Sequence, residues 1–224
     1  MKTFRLALLA ASVSVISGTA LAHEAGDLLI KFGPALVDPN SSSSTQEGGI
    51  LPPGLDVVTV DAGESFTISA TYMVSDNLGL ELLGALPFNH DIQGYGALEG
   101  VDKVGSTDHL PPTLLANFYL PVSEKFIPFA GIGYNYTLFF NEDTSETFSA
   151  ALGADTDLSL SDSHGVAYEI GFDIPLDESV MLTASAWNID IDTTATVYAN
   201  GLEAQKIDVE IDPWVYMVGI GLKF

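Results

Sequence analysis

From residue 26 onward, large apolar residues recur at every second position, and no long stretch carries the 3.6-residue spacing of an amphipathic helix. Eight period-2 segments, at about 26–37, 64–75, 78–88, 109–121, 126–140, 164–176, 179–194 and 204–224, read as β-strands. The connections alternate in length. Short turns fall at Ser75-Asp76-Asn77, Val122–Lys125 and Asp177-Glu178, while long polar connections occupy about 38–63, 89–108, 141–163 and 195–203. A soluble sandwich has no reason to gather its short connections at one end. An antiparallel up-and-down barrel in an outer membrane does, with tight periplasmic turns and longer external loops. The fold expected is therefore all-β: an eight-stranded antiparallel up-and-down transmembrane β-barrel.

Facing follows from parity. In the fourth to sixth segments the even positions are the oilier set (Leu114, Phe118, Ile132, Tyr134, Val166, Ile170), whereas the odd positions hold Thr113, Asn117, Gly131, Asn135, Glu169 and Asp173. Even residues face lipid and odd residues the lumen. On the even face an aromatic residue lies near each short turn or the C-terminus: Tyr72, Phe118, Phe126, Phe172 and Phe224. Tyr134, Tyr136 and Trp214 form a second set higher up. A separation of eight to ten residues on tilted strands is roughly 20–25 Å, the height of a lipid-facing band between two aromatic girdles. Phe224 closes the lower girdle on the strand that seals the barrel.

The first residues carry Lys2 and Arg5, an apolar run from Leu6 to Ile16, and Ala20-Leu21-Ala22, which reads as a signal peptide over 1–22 followed by a single barrel over 23–224. Removing that leader takes away two of the seven basic residues and none of the thirty acidic ones, so the formal charge falls from −23 to −25. Nucleic acid is excluded as a partner by that sign. The chain has no cysteine, hence no disulfide and no thiolate metal site.

Carried into the last two segments, the same parity sets Trp187, Ile189, Ile191, Ile207, Val209, Ile211 and Met217 inward, while Asp190, Asp192, Asp208 and Glu210 face external water. The competing pattern is a bulge near Pro213 that reverses facing, but two neighbouring strands agree on unbroken parity. Lower down, Lys31, Glu81 and Glu169 point inward and form either a polar plug or a gate; eight strands leave an interior filled by its own side chains. Pro34 and Pro213, on the two strands that close the barrel, both lack an N–H for the ladder. They mark a thinned seam for sideways exit, or simply positions whose N–H site faces away from the ladder or sits at a bulge.

Several strings together resemble the OmpW family: "HEAGD" at residue 23, "YMVSDNLGLELLGALPF" from Tyr72, "HLPPTLLANFYL" from His109, "FIPFAGIGYNYTLFF" from Phe126, "IDIDTTA" from Ile189 and "IDPWVYMVGIGLKF" from Ile211. The resemblance implies a bacterial outer-membrane barrel with an unusually hydrophobic lumen, associated with the passage of small apolar molecules.

His23, His90, His109 and His164 lack metal-ligand spacing, and no nucleophile motif or phosphate loop appears, so neither a metal, a cofactor nor an enzyme is expected. The leading expectation is a monomeric passive conduit that takes small hydrophobic molecules into the lumen. The rival is a structural or adhesion barrel whose loops bind ions, lipopolysaccharide or a macromolecule. Outer-membrane lipid and lipopolysaccharide are the expected surroundings.

Overall fold

The computed structural model describes residues 23–123 and 125–224; the leader read at 1–22 lies outside the described residues. In chain order the elements are β1 (Leu28–Asp38), β2 (Ser42–Thr45), β3 (Val58–Val60), β4 (Gly63–Ser75), β5 (Leu78–Ala85), β6 (Phe88–Gly94), β7 (Lys103–Leu110), β8 (Thr113–Tyr119), β9 (Ile127–Thr144), α1 (Glu146–Leu152), β10 (Thr156–Leu160), β11 (Ser163–Pro175), β12 (Val180–Ile189), β13 (Asp192–Ala199), β14 (Leu202–Glu210) and β15 (Trp214–Lys223).

Eight of these strands close a ring of antiparallel pairs in the order β1, β4, β5, β8, β9, β11, β12, β15. Every ladder has its partner, which is the condition for a sheet to stand in hydrocarbon. Closure runs from Leu29↔Lys223 to Asp38↔Trp214, and Phe224 exchanges backbone hydrogen bonds with Leu28. Parity holds around the ring. Odd residues such as Lys31, Thr71, Glu81, Asn117, Asn135 and Thr183 are buried, while Ile68, Leu82, Leu114, Ile132, Ile170 and Val218 are exposed.

Above the ring the chain does not dissolve into loops. The connection expected at 89–108 is largely the β6–β7 hairpin, the one at 141–163 holds the top of β9, α1 and β10, and the one at 195–203 lies within the β13–β14 hairpin. These segments read as polar because each strand is short and turns one face to water, as with the alternating Asp192, Thr194 and Thr196 of β13. The expected segments 78–88, 109–121, 179–194 and 204–224 are each interrupted: β5 stops before Pro87, β8 starts after Pro112, and breaks at 190–191 and 211–213 separate barrel strands from crown strands. Proline supplies no ladder N–H, which accounts for the first two breaks.

The result is a crown of two sheets. One continues β9 through β7 and β6 to β3; the other has the order β10-β13-β14-β2. At one edge they are joined by side chains: Ser43 Oγ accepts from the Val57 and Val58 amides (2.9 and 3.0 Å), and Ser41 Oγ accepts from the Val60 amide at 3.0 Å. At the other edge α1 covers the corner. Ser145 caps its N-terminus by accepting from the Phe148 amide at 3.0 Å, and Gly153 (φ 63°) ends it in the left-handed conformation that glycine adopts without strain.

Candidate functional site

The lumen is stratified. At the periplasmic end Leu29, Met73, Tyr119, Ile127, Phe129 and Met181 form an apolar floor. Above it lies the polar layer. Lys31, Glu81 and Glu169 are all buried there, and the structure adds partners that parity alone did not single out: Asp173, His23, Asn117 and Thr71. Asp173 Oδ2 receives both Lys31 Nζ and His23 Nε2 at 3.0 Å. Asn117 Nδ2 donates to Glu169 at 2.7 Å and to Glu81 at 3.2 Å, and Thr71 Oγ1 donates to Glu81 at 2.8 Å. Lys31 Nζ also stands 4.0 Å from the centre of the Phe129 ring. Gly131 makes room for this layer, because a Cβ there would strike Asn117 Oδ1. Charges this deep are tolerable only when paired and hydrogen-bonded, and the network fills the bore rather than leaving an aqueous pore.

The apolar upper lumen begins one step higher. Trp187 is fully buried and pairs across the ladder with Glu169 on one side and Val215 on the other, so it stands at the boundary between the two layers. Trp187, Ile189, Ile191, Ile207, Val209, Ile211 and Met217 are all buried in one hydrophobic cluster. Of these, Ile207, Val209 and Ile211 line a cavity between the two crown sheets; the other four pack below or behind it. The opposite wall comes from segments read as loops or strand ends: Val58 and Val60 of β3, His90 and Ile92 of β6, Val104, Thr107 and His109 of β7, and Phe139 of β9. Here facing departs from the odd rule, since the buried residues of β6 are the even Phe88, His90 and Ile92. The break at Leu86-Pro87 resets the phase.

About 40 Å³ of the cavity is open to the centre of a water-sized sphere, on the order of three waters by volume. A larger guest therefore enters only as the Ile, Val and Leu side chains of the walls change rotamer. His90 and His109 are the cavity's aromatic nitrogen bases, with ring centres 4.8 Å apart. They stand above the upper aromatic girdle, His109 pairing with Phe139. Burial pushes both imidazoles down, and His109, also repelled by His90, falls to about 3.

The seam residues separate. In the β1–β15 ladder the pairs Phe32↔Ile220 and Ala35↔Met217 flank Pro34, with no pair between them among the described residues, while on the other side Pro34 stays paired with Phe66 of β4. Pro213, expected at a similar height, lies beyond the topmost pair Asp38↔Trp214, in the break between β14 and β15. The expectation failed because 204–224 is two strands and not one. Pro34 borders an outer groove of about 340 Å³ whose lining also includes the buried, inward-facing Ala35 and Met217.

Tyr72, Phe118, Phe126 and Phe224 are exposed and Phe172 half-buried, its ring 5.5 Å from that of Phe126; Tyr134, Tyr136 and Trp214 are exposed above them. At the outer rim the carboxylates of Asp190, Asp192 and Asp212 lie within 4.8 Å of one another. Partial burial, then repulsion from Asp190, Asp212 and Glu210, lifts the Asp192 carboxyl above its usual range. Exposed acids of this kind are adequately explained as a solvated surface.

Comparison with known proteins agrees with this architecture. Residues 24–224 match the model of the OmpW family. Outer membrane protein W of Vibrio cholerae serotype O1 is 39% identical over 222 residues, covering 96% of this chain and 97% of its own. The protein of the same name from Escherichia coli K12 is 37% identical over the whole of both chains. The crystal structure of the outer membrane protein OprG from Pseudomonas aeruginosa superposes with a TM-score of 0.79 at 38% identity, covering 92% of this chain and 99% of that one.

Proposed function

We propose, since the chain belongs to the OmpW family of outer-membrane barrels, that its crown and upper lumen take up small hydrophobic molecules passively from outside the cell. The observation that carries this reading is the cavity between the crown sheets, walled by aliphatic and aromatic residues and continuous with the buried cluster that reaches down to Trp187. A guest leaving water for this space gains about 25 cal/mol per Å² of apolar area covered. The polar layer around Lys31, Asp173, Glu81 and Glu169 bars a straight descent, because an apolar guest there would break buried hydrogen bonds and ion pairs without replacing them. The way onward is sideways at Pro34, where the ladder is interrupted and the outer groove touches the same Ala35 and Met217 that face the lumen.

The test compares flux of an apolar dye into liposomes through barrels altered at the cavity wall. Ala195→Phe fills the space and Val209→Asp makes it polar, so both should lower flux several-fold at matched barrel abundance. Thr194→Asp, on the neighbouring outward-facing position, should leave it unchanged. Undiminished flux through Ala195→Phe and Val209→Asp would defeat the conduit and favour the adhesion barrel.

A further inference from the structure

The cavity is not purely hydrocarbon in character. Two imidazoles stand in its wall, both buried, and the Nε2 atom of each has no hydrogen-bond partner among the described residues. His90 Nδ1 lies 2.7 Å from the Asp61 carbonyl oxygen. A carbonyl only accepts, so Nδ1 carries the proton and Nε2 of the neutral ring is a bare acceptor. The other polar side chains of the wall are already engaged: Thr107 Oγ1 donates to the Asp108 and Phe140 carbonyls, and Thr193 Oγ1 donates to the Ser161 carbonyl at 2.7 Å. The two histidine nitrogens are therefore the unmet hydrogen-bonding capacity of an otherwise oily chamber.

We propose that the His90–His109 pair is a polar subsite that selects hydrophobic molecules bearing a hydroxyl group, holding the hydroxyl at the imidazoles while the hydrocarbon part lies against Ile207, Val209 and Phe139. This deepens the uptake reading and rests on it. A hydroxyl both donates and accepts, so it satisfies His90 Nε2 and serves His109 in either tautomer. A carboxylate does not fit. Among the described residues no lysine or arginine lines the cavity, and Asp61, Asp91 and Asp108 lie close enough to His90 to favour positive charge there. An ammonium group fits no better, for it would be buried against apolar walls without a carboxylate in the lining. A neutral donor on an apolar body is what remains: an aliphatic or aromatic alcohol.

The experiment uses the full barrel in lipid nanodiscs, labelled with ¹⁵N at histidine and ¹³C at valine methyls, with 1-octanol and n-octane as probes compared at equal concentration in the bilayer. Both probes should move the Val197 and Val209 methyl signals. Octanol alone should shift the unprotonated His90 Nε2 resonance, and it should bind about two- to tenfold more tightly than octane, the range expected for one net hydrogen bond. His90→Phe and His109→Phe should abolish that preference while keeping octane binding. Should either variant fail to fold, the nitrogen response of the unaltered protein still decides. If both probes move the methyls but neither moves the ring nitrogen, and their affinities are equal, the subsite is refuted and the conduit stands. If neither probe moves the methyls, both readings fail.

Discussion

At the scale of single residues, the interior separates side chains that meet lipid, charge or oil by position alone, and burial decides what each can do. Lys31 and Asp173 are 142 residues apart in sequence and meet at 3.0 Å in the lower lumen. His109 shows the same dependence outside the membrane. Its imidazole falls from 6.5 to about 3 because the chamber strips it of water. An unfolded chain takes up a proton at this ring below pH 6.5 and the folded one does not until near pH 3. This histidine therefore makes the folded crown progressively less stable as pH falls across that window, by an amount on the order of a few kcal/mol. Urea titrations of the barrel in lipid at pH 7.5 and pH 4.5 should show the loss, and His109→Phe should flatten it. A slope unchanged in the variant would assign the acid sensitivity to other groups.

At the scale of elements, what was legible in the sequence was whatever repeats with period two and must satisfy lipid. The eight barrel strands, their facing and the girdle from Tyr72 to Phe224 follow because a lipid-facing position admits little but apolar and aromatic side chains. The crown was harder to see, since its strands meet water on one side and are short. One signal for it is present in plain form: Asn200-Gly201, with φ of 50° and 77°, makes the two-residue turn of the β13–β14 hairpin, flanked by Ala199↔Leu202. Gly201→Val forces a β-branched residue into that left-handed conformation and should destabilise the hairpin by about 1–3 kcal/mol, read as faster proteolysis of the crown with the barrel intact. Equal resistance would argue against the turn. The partners of the plug, Asp173 and His23, were not legible as such, because which lumenal residues meet across a barrel depends on strand stagger, and local periodicity carries no record of it. The even facing of β6 was hidden for a related reason: the interruption between two strands resets parity, and nothing in the two flanking strands announces by how much.

At the scale of the whole molecule, membrane ring and crown share one strand that does not stop between them. β9 runs from Ile127 to Thr144, roughly 60 Å of extended chain, with a single bulge near Asn141, while β1, β5, β8, β11, β12 and β15 all end at the level where the crown begins. In the ring order β9 stands four strands from β1, on the far side from the seam. The molecule is thus built like a bivalve shell with its ligament at β9. A parting of the crown must gape on the opposite flank, where the strands break at 39–41 and 211–213 and the two sheets are held by the Ser41 and Ser43 hydroxyls rather than by a continuous strand. Hydrogen–deuterium exchange should record this as a gradient, slowest at Leu138–Phe140 and fastest near Asn40, whose amide is tied to the Ile211 carbonyl at 2.9 Å. Uniform exchange around the crown would mean a rigid cap. The gradient would mean that the shell gapes directly above the interrupted ladder at Pro34, so that, on the proposed route, a single flexing flank would serve both the mouth facing the outside and a slit facing the lipid.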